Sequence, residues 1–242
     1  MNRVVAGLTV RSLLGRRRVF LLLAPPMTLL LICGAIRSLG EEGAETSAHV
    51  LSRFALATVV SLVSLMAGTG AIGPEIEDGS ITYLLAKPVN RFSVLLSKSF
   101  VALTVIVACT AVPVTLAGLV LAPSDARVAL AFAAGATVAG IAYGTLFLLL
   151  AILSRHAVMI GLLYALIWES LVAGVAPGAQ DLSVRQWALA LTQHILGNQA
   201  AALDVKAAVP LTTGLVLLGL LTVGSTLIAG RALSGLRLSS HE

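Results

Sequence analysis

The chain has 242 residues, of which 58% are hydrophobic and only 11% are charged, with a formal net charge of +5. Soluble domains average about 25% charged residues, so this chain has too few to cover a water-exposed surface. The composition therefore excludes an ordinary soluble globular protein and a disordered chain, and it indicates an all-α polytopic membrane protein.

Residues 1–18 predict an amphipathic helix. Apolar residues such as Val4, Val5 and Leu8 favour one helical face, and five arginines supply positive charge. A helix of this kind can lie on the anionic surface of the cytoplasmic leaflet. The alternative is that the segment extends the first membrane span into the cytosol.

Six apolar blocks are long enough to cross a bilayer as helices, for which about 20 residues are needed. The predicted spans are residues 19–36, 54–73, 99–122, 128–153, 157–176 and 209–230. Together they form a single transmembrane domain that covers residues 1–242. The connection between the first two spans, residues 37–53, is expected to be a polar hairpin.

The distribution of lysine and arginine predicts the orientation of the spans. Eleven of the 16 basic residues lie in the N-terminal segment, the second-to-third connection, the fourth-to-fifth turn and the C-terminal tail. Five lie on the opposite side. Both termini are therefore expected in the cytoplasm.

The last outer segment, residues 177–208, is too polar to span the bilayer. Residues 182–196 show apolar positions at helical spacing, and Ser183 is a suitable N-cap for a helix there. An outer helical hairpin, on the surface or re-entering the membrane, is expected before the last span. Trp168 and Trp187 are expected to act as anchors at the outer interface.

Glu169 is the only acidic residue well inside a predicted span. A charge in that position is costly, so the side chain must be protonated, paired or facing water. One interpretation places Glu169 at a dimer seam or on a substrate route. The other gives it a hydrogen bond to a neighbouring helix, or a position near the outer water.

Small residues recur every four positions in the fourth span, at Ala136, Gly140 and Gly144. This spacing allows helices to approach closely. The stripe is expected to pack within the subunit or, alternatively, at a dimer seam.

Residues 73–98 are the most polar stretch on the predicted inner side. Three acidic residues precede Gly79, Ser80 can cap a short helix, and Pro88 ends it. Such a helix, with apolar residues including Leu84 on one face, can dock into the groove of a soluble partner. The alternative is a polar loop without a binding role.

This stretch resembles the second-to-third-span segment of ABC type-2 transporter permeases, whose pattern runs R-E-x-E-x-G-T, L-L-x-x-P-[IVL]-[ST]-R and G-K. The matching residues are Glu75, Glu77, Gly79, Ser80, Leu84, Leu85, Pro88, Arg91 and Lys98. Pro74 and Ile76 replace arginines often found in the family, and Asn90 replaces Ser or Thr. Residues 163–185 and the layout of the whole chain also resemble bacterial members.

The resemblance implies the membrane subunit of a bacterial ABC exporter, located in the plasma membrane. Two permeases, identical or different, would form the translocation pathway above a dimer of ATP-binding subunits, and the first, second and fifth spans would line the route. The residues implied in contact with the ATPase are Glu75, Glu77, Asp78, Gly79, Ser80, Leu84, Pro88 and Arg91.

No catalytic, metal or nucleic-acid site is expected in the chain. It lacks the phosphate-binding pattern G-x-x-x-x-G-K-[ST], H-E-x-x-H and G-x-S-x-G, and its four histidines have no metal-ligand spacing. ATP would be bound by the partner, so no cofactor is expected here. Two alternative functions are an ion- or proton-coupled transporter working without an ATPase, and a membrane scaffold or sensor.

Overall fold

A computed structural model describes residues 7, 15–73, 91–172 and 178–235 of the chain. Within these ranges all regular structure is helical and there is no strand, which confirms the predicted all-α class. In chain order the elements are α1 (Arg16–Ser38), α2 (Ala44–Val50), a first π-helix (Leu51–Val59), α3 (Val60–Gly70), α4 (Arg91–Leu121), α5 (Ala126–Leu153), α6 (Ala157–Leu163), a second π-helix (Tyr164–Val172), a 3-10 turn (Gln180–Leu182), α7 (Val184–Leu196), α8 (Gln199–Ala202) and α9 (Leu211–Gly235).

Five helical stretches of the described chain are long and apolar enough to cross a membrane. They are Val19–Ser38, Ala44–Gly70, Leu95–Leu121, Ala126–Leu153 and Leu211–Leu233. These stretches correspond to the first four predicted spans and the sixth. The predicted fifth span, residues 157–176, is instead represented by the shorter apolar helix Ala157–Glu169. The count of six full spans is therefore not confirmed.

The predicted polar hairpin at residues 37–53 is wrong in extent. Only residues 39–43 separate α1 from α2, and the second span begins at Ala44, well before its predicted start. The early start is possible because the small side chains of Ser47 and Ala48 are buried. Hydropathy alone discounts such a segment, because it contains Glu45, His49 and Arg53 and few large apolar residues.

The turn between α1 and α2 is fastened to the end of α4. The Gly43 N–H donates to the Leu121 carbonyl at 2.9 Å, and Arg37 Nη1 donates to the Val120 carbonyl at 2.6 Å. We call this end of the bundle, with its turns at residues 39–43 and 122–125, the hairpin end. The opposite end contains the last residues of α3 and the first residues of α4.

The α5 helix occupies the centre of the bundle. It packs against α3, α4, α7 and α9, and its buried residues recur on every side of the helix. In contrast, α1 and α9 expose large apolar side chains such as Phe20, Leu31 and Leu220. Exposed side chains of this type suit a hydrocarbon environment rather than water.

The small-residue stripe of α5 packs within the subunit, the first of its two predicted roles. A Cβ atom added at Gly140 would lie 2.9 Å from Ile106 Cγ2, and one at Gly144 would lie 2.6 Å from Ile106 Cδ1. On the side of α3, Ser64 Oγ donates to the Gly140 carbonyl at 3.4 Å. The absence of side chains at these positions lets α3 and α4 approach α5 closely.

The closest rigid contact of this kind joins α4 to α5 near the hairpin end. A Cβ atom at Gly118 would lie 2.7 Å from Ala129 Cβ and 2.8 Å from Ala129 Cα, and neither atom can swing away. We expect Gly118→Ala to destabilise the protein by about 1–3 kcal/mol through overpacking, lowering the midpoint of thermal unfolding in detergent.

Gly219→Ala is the matched control for this substitution. Gly219 lies in α9, and no heavy atom outside its own helix lies within 4 Å of an added Cβ. The control should unfold at the wild-type temperature or slightly above it, because alanine favours helix more than glycine does. Equal midpoints for the two variants would contradict the close approach of α4 to α5.

Candidate functional site

The α7 helix begins inside the bundle rather than at its surface. Glu169, which contacts the start of α7, also contacts Tyr143 of α5. At about 1.5 Å per residue, Tyr143 lies about 26 Å from the start of α5 and about 15 Å from its end. At the other end of α7, Arg127 Nη2 donates to the Ile195 carbonyl at 2.8 Å. The helix therefore runs from the interior to the hairpin end, antiparallel to α5.

A helix that begins in an apolar interior leaves its first backbone N–H groups without partners unless another group accepts them. The Glu169 carboxylate accepts two of these N–H groups, from Val184 at 2.9 Å and from Arg185 at 3.4 Å. The carboxylate also lies where the helix dipole places partial positive charge. Both effects offset the cost of burying this side chain, which is fully buried.

Ser183 completes the cap of α7. Its own N–H donates to the Gln180 carbonyl at 3.1 Å, and its Oγ accepts the Gln186 N–H at 3.4 Å. The predicted N-cap is therefore confirmed. The same hydroxyl donates its hydrogen to Glu169 Oε2, so Ser183 joins the helix start to the carboxylate. Together, Glu169 and the residues around Ser183 satisfy all four N–H groups at the start of α7.

Tyr143 is the fourth donor to the carboxylate, through its hydroxyl to Glu169 Oε1 at 2.5 Å. Its ring stacks on Phe147 with centroids 6.0 Å apart and meets Tyr164 edge-on at 6.4 Å. The aromatic rings surround the polar cluster with apolar surface. Hydrogen bonds in such a desolvated environment are electrostatically stronger than in water.

Of the two interpretations of Glu169, the geometry supports the second, because the side chain forms hydrogen bonds to neighbouring helices. The side chain links α5, the second π-helix and α7, and it contacts α7 through two backbone N–H groups and Ser183. A place for Glu169 on a substrate route stays a prediction. Within the described ranges, no group of three or more His, Cys, Asp or Glu residues could hold a metal ion.

The two predicted interfacial tryptophans have different surroundings. Trp187 is only 7% exposed, and its Nε1–H donates to the Asp181 carbonyl at 2.7 Å. This side chain therefore packs inside the hairpin of this subunit and is not a lipid-facing anchor, because its polar group already has a partner in the chain. Trp168 is partly buried.

Most of the predicted ATPase-contacting residues lie outside the described residues. These are Glu75, Glu77, Asp78, Gly79, Ser80, Leu84 and Pro88. Arg91 is described only as the first residue of α4. Of the predicted N-terminal amphipathic helix, only Gly7 and residues 15–18 are described, the last three as the start of α1.

The structure nevertheless brings together the two ends of this polar segment. Lys98 of α4 is 3% exposed, and its Nζ donates to the carbonyl of Ala71, just after α3, at 3.2 Å. The chain just after α3 and the second turn of α4 therefore contact each other at the end of the bundle opposite the hairpin end.

Sequence reasoning missed Tyr143 as a partner of Glu169. The only signal was indirect: Tyr143, directly before Gly144 of the small-residue stripe, is a large side chain with a polar end in a mainly apolar helix. Sequence reasoning also missed the contact of Arg185 with Glu169, although Arg185 follows the predicted N-cap by two residues.

A family model described as "ABC-2 family transporter protein" matches residues 26–229. The chain belongs to the ABC-2 transporter family. The match runs from within α1 to within α9, so this ABC-2 protein carries the family pattern across the central α5 helix and the Glu169-capped hairpin. It is the membrane permease subunit of an ABC transporter. A search of curated proteins gave no match.

Substitutions of Glu169 test the cap. Glu169→Ala leaves four buried donors without an acceptor, and we expect a loss of about 3–5 kcal/mol in the free energy of unfolding. Glu169→Gln keeps one acceptor oxygen and should cost about 1–3 kcal/mol, and Tyr143→Phe about 1 kcal/mol. The midpoint of thermal unfolding in detergent should therefore fall most for Glu169→Ala, less for Glu169→Gln and least for Tyr143→Phe.

Glu41→Gln is the control for loss of a carboxylate. Glu41 is exposed in the turn between α1 and α2, and its replacement should leave the midpoint unchanged. Wild-type stability of Glu169→Ala would rule out the capping role.

Proposed function

We propose that this ABC-2 permease forms the translocation pathway of an exporter as a dimer, and that separate ATP-binding subunits drive it through residues 75–91. The observation that carries the proposal is the family match over residues 26–229. ATP is bound by the partner, since the chain has no phosphate-binding loop. The protein lies in a bacterial plasma membrane, with both termini on the cytoplasmic side.

The contacts of the bundle would transmit a movement that the ATP-binding subunit imposes on residues 74–90. These residues connect α3 to α4, whose adjoining ends are joined through Lys98 and Ala71. The α3 helix also packs tightly on α5, because a Cβ atom at Gly68 would lie 2.9 Å from the Gly144 carbonyl oxygen. Movement of α3 and α4 is therefore passed to α5.

The α5 helix in turn holds the hairpin at two levels. Tyr143 reaches the Glu169 cap at the inner end of α7, and Arg127 holds the Ile195 carbonyl at its outer end. The hairpin lies at the end of the bundle opposite residues 74–90. We place the gate that opens outward at this end, and ATP-driven closure of the partner would move it.

Loss of the ATPase contact is the sharpest test of coupling. The tagged full-length permease, extracted from its native membranes, should bring down a stoichiometric subunit with ATPase activity that is labelled by a photoreactive ATP analogue. Gly79→Pro should abolish this association, since proline fixes φ and removes an N–H donor immediately before the predicted helix. Glu77→Ala should weaken it at least several-fold.

The control is Glu41→Ala, which removes an acidic residue from the hairpin end and should retain the ATPase. Association that survives both Gly79→Pro and Glu77→Ala would refute coupling through this segment. Transport that continues after ATP depletion, with no ATPase attached, would instead favour the ion- or proton-coupled carrier.

A further inference from the structure

A cavity of about 430 Å³ lies next to the Glu169 cap, between the start of α7 and the loop that follows α8. Three segments line it: the first π-helix, the first turns of α7 and the loop that follows α8. Its polar side chains are Ser52, Arg53, Thr58, Arg185, Gln186, Asp204 and Lys206. A cavity of this size accommodates a small molecule or a headgroup rather than a few waters.

The charges around the cavity are mainly positive. Asp204 is the only acidic residue among the described residues of the lining, and its carboxylate pairs with Lys206 Nζ at 2.7 Å. The hydrogen bond from Lys206 lowers the pKa of Asp204 below its usual value, so this carboxylate stays charged and paired. Arg53 and Arg185 form no ion pair with any described residue, so the cations of the described lining outnumber its one carboxylate by three to one.

Arg185 gives a second, independent indication of a missing partner. Its Nε is buried and has no hydrogen-bond acceptor among the described residues. A buried N–H donor without an acceptor is unfavourable, and most such groups in folded proteins are paired. An anion in the cavity would supply acceptors at this point. The backbone N–H of the same residue donates to Glu169, so the side chain projects from an anchored position.

The backbone around the cavity is also unusual. One wall is formed by Ser52, Arg53, Ala57 and Thr58 of the first π-helix, and π-helical turns occur frequently at functional sites.

We infer that this cavity binds an oxyanion group, a phosphate or a carboxylate, carried by an anionic lipid headgroup or by a soluble anion. Arg185 and Arg53 contact the anion, and Ser52, Thr58 and Gln186 offer neutral polar contacts. The apolar side chains of Leu189 and Val205 line the remaining wall. Binding at this site needs no ATP and no partner subunit, so it stands apart from the proposed function.

A titration of the full-length permease in a neutral detergent tests the inference. The probes are dihexanoyl phosphatidylglycerol, inorganic phosphate and citrate, with dihexanoyl phosphatidylcholine as the probe without net charge. The midpoint of thermal unfolding should rise and saturate with at least one anionic probe and not with the phosphatidylcholine. Saturation by the anionic lipid alone identifies a headgroup site, and saturation by phosphate or citrate identifies a site for soluble anions.

The variants locate the binding. Arg185→Gln and Arg53→Gln should each weaken the apparent affinity about tenfold or more, since each removes a charge-assisted contact. Arg53 is exposed, so its variant should fold even if Arg185→Gln does not. Arg37→Gln removes a cation from the hairpin end, outside the cavity, and should bind as wild type. Wild-type affinity in Arg53→Gln and in a folded Arg185 variant, or no saturation by any anionic probe, would overturn the inference.

Discussion

The contact between the Glu169 carboxylate and the first turn of α7 is the constraint on which the hairpin depends. A helix cannot begin in an apolar interior with four free N–H groups. Here a carboxylate and a serine side chain accept three of them, and the Gln180 carbonyl accepts the fourth. One acidic residue, costly in isolation, thereby allows α7 to begin inside the bundle.

Much of the fold could be predicted from the sequence because hydrocarbon imposes a simple rule: apolar blocks of sufficient length become helices. Five spans follow this rule. The fifth block, residues 157–176, stays a prediction, because the described part of the chain gives only the shorter apolar helix Ala157–Glu169 there. The start of the second span was missed because small polar residues such as Ser47 can be buried by packing, which hydropathy does not measure.

The candidate site was predictable one residue at a time but not as a unit. Glu169 was conspicuous as a lone intramembrane acid, and Ser183 as a helix cap. Their contact could not be foreseen, because it requires the chain between them to fold back on itself. The cavity was even less predictable from the sequence, because Arg53, Arg185 and Lys206 belong to three segments that only the folded bundle brings together.

The order of the polar partners along the chain bears on how the protein is made. Tyr143 and Glu169 are both synthesised before Ser183. When α7 leaves the ribosome, the Glu169 carboxylate that will accept two of its backbone N–H groups already exists in the nascent bundle. The hairpin can therefore insert into the membrane after this acceptor is in place, so that the first backbone N–H groups of α7 are not exposed to lipid without a partner. Biogenesis of this half of the permease would then proceed from the N-terminal side, with α5 as the template.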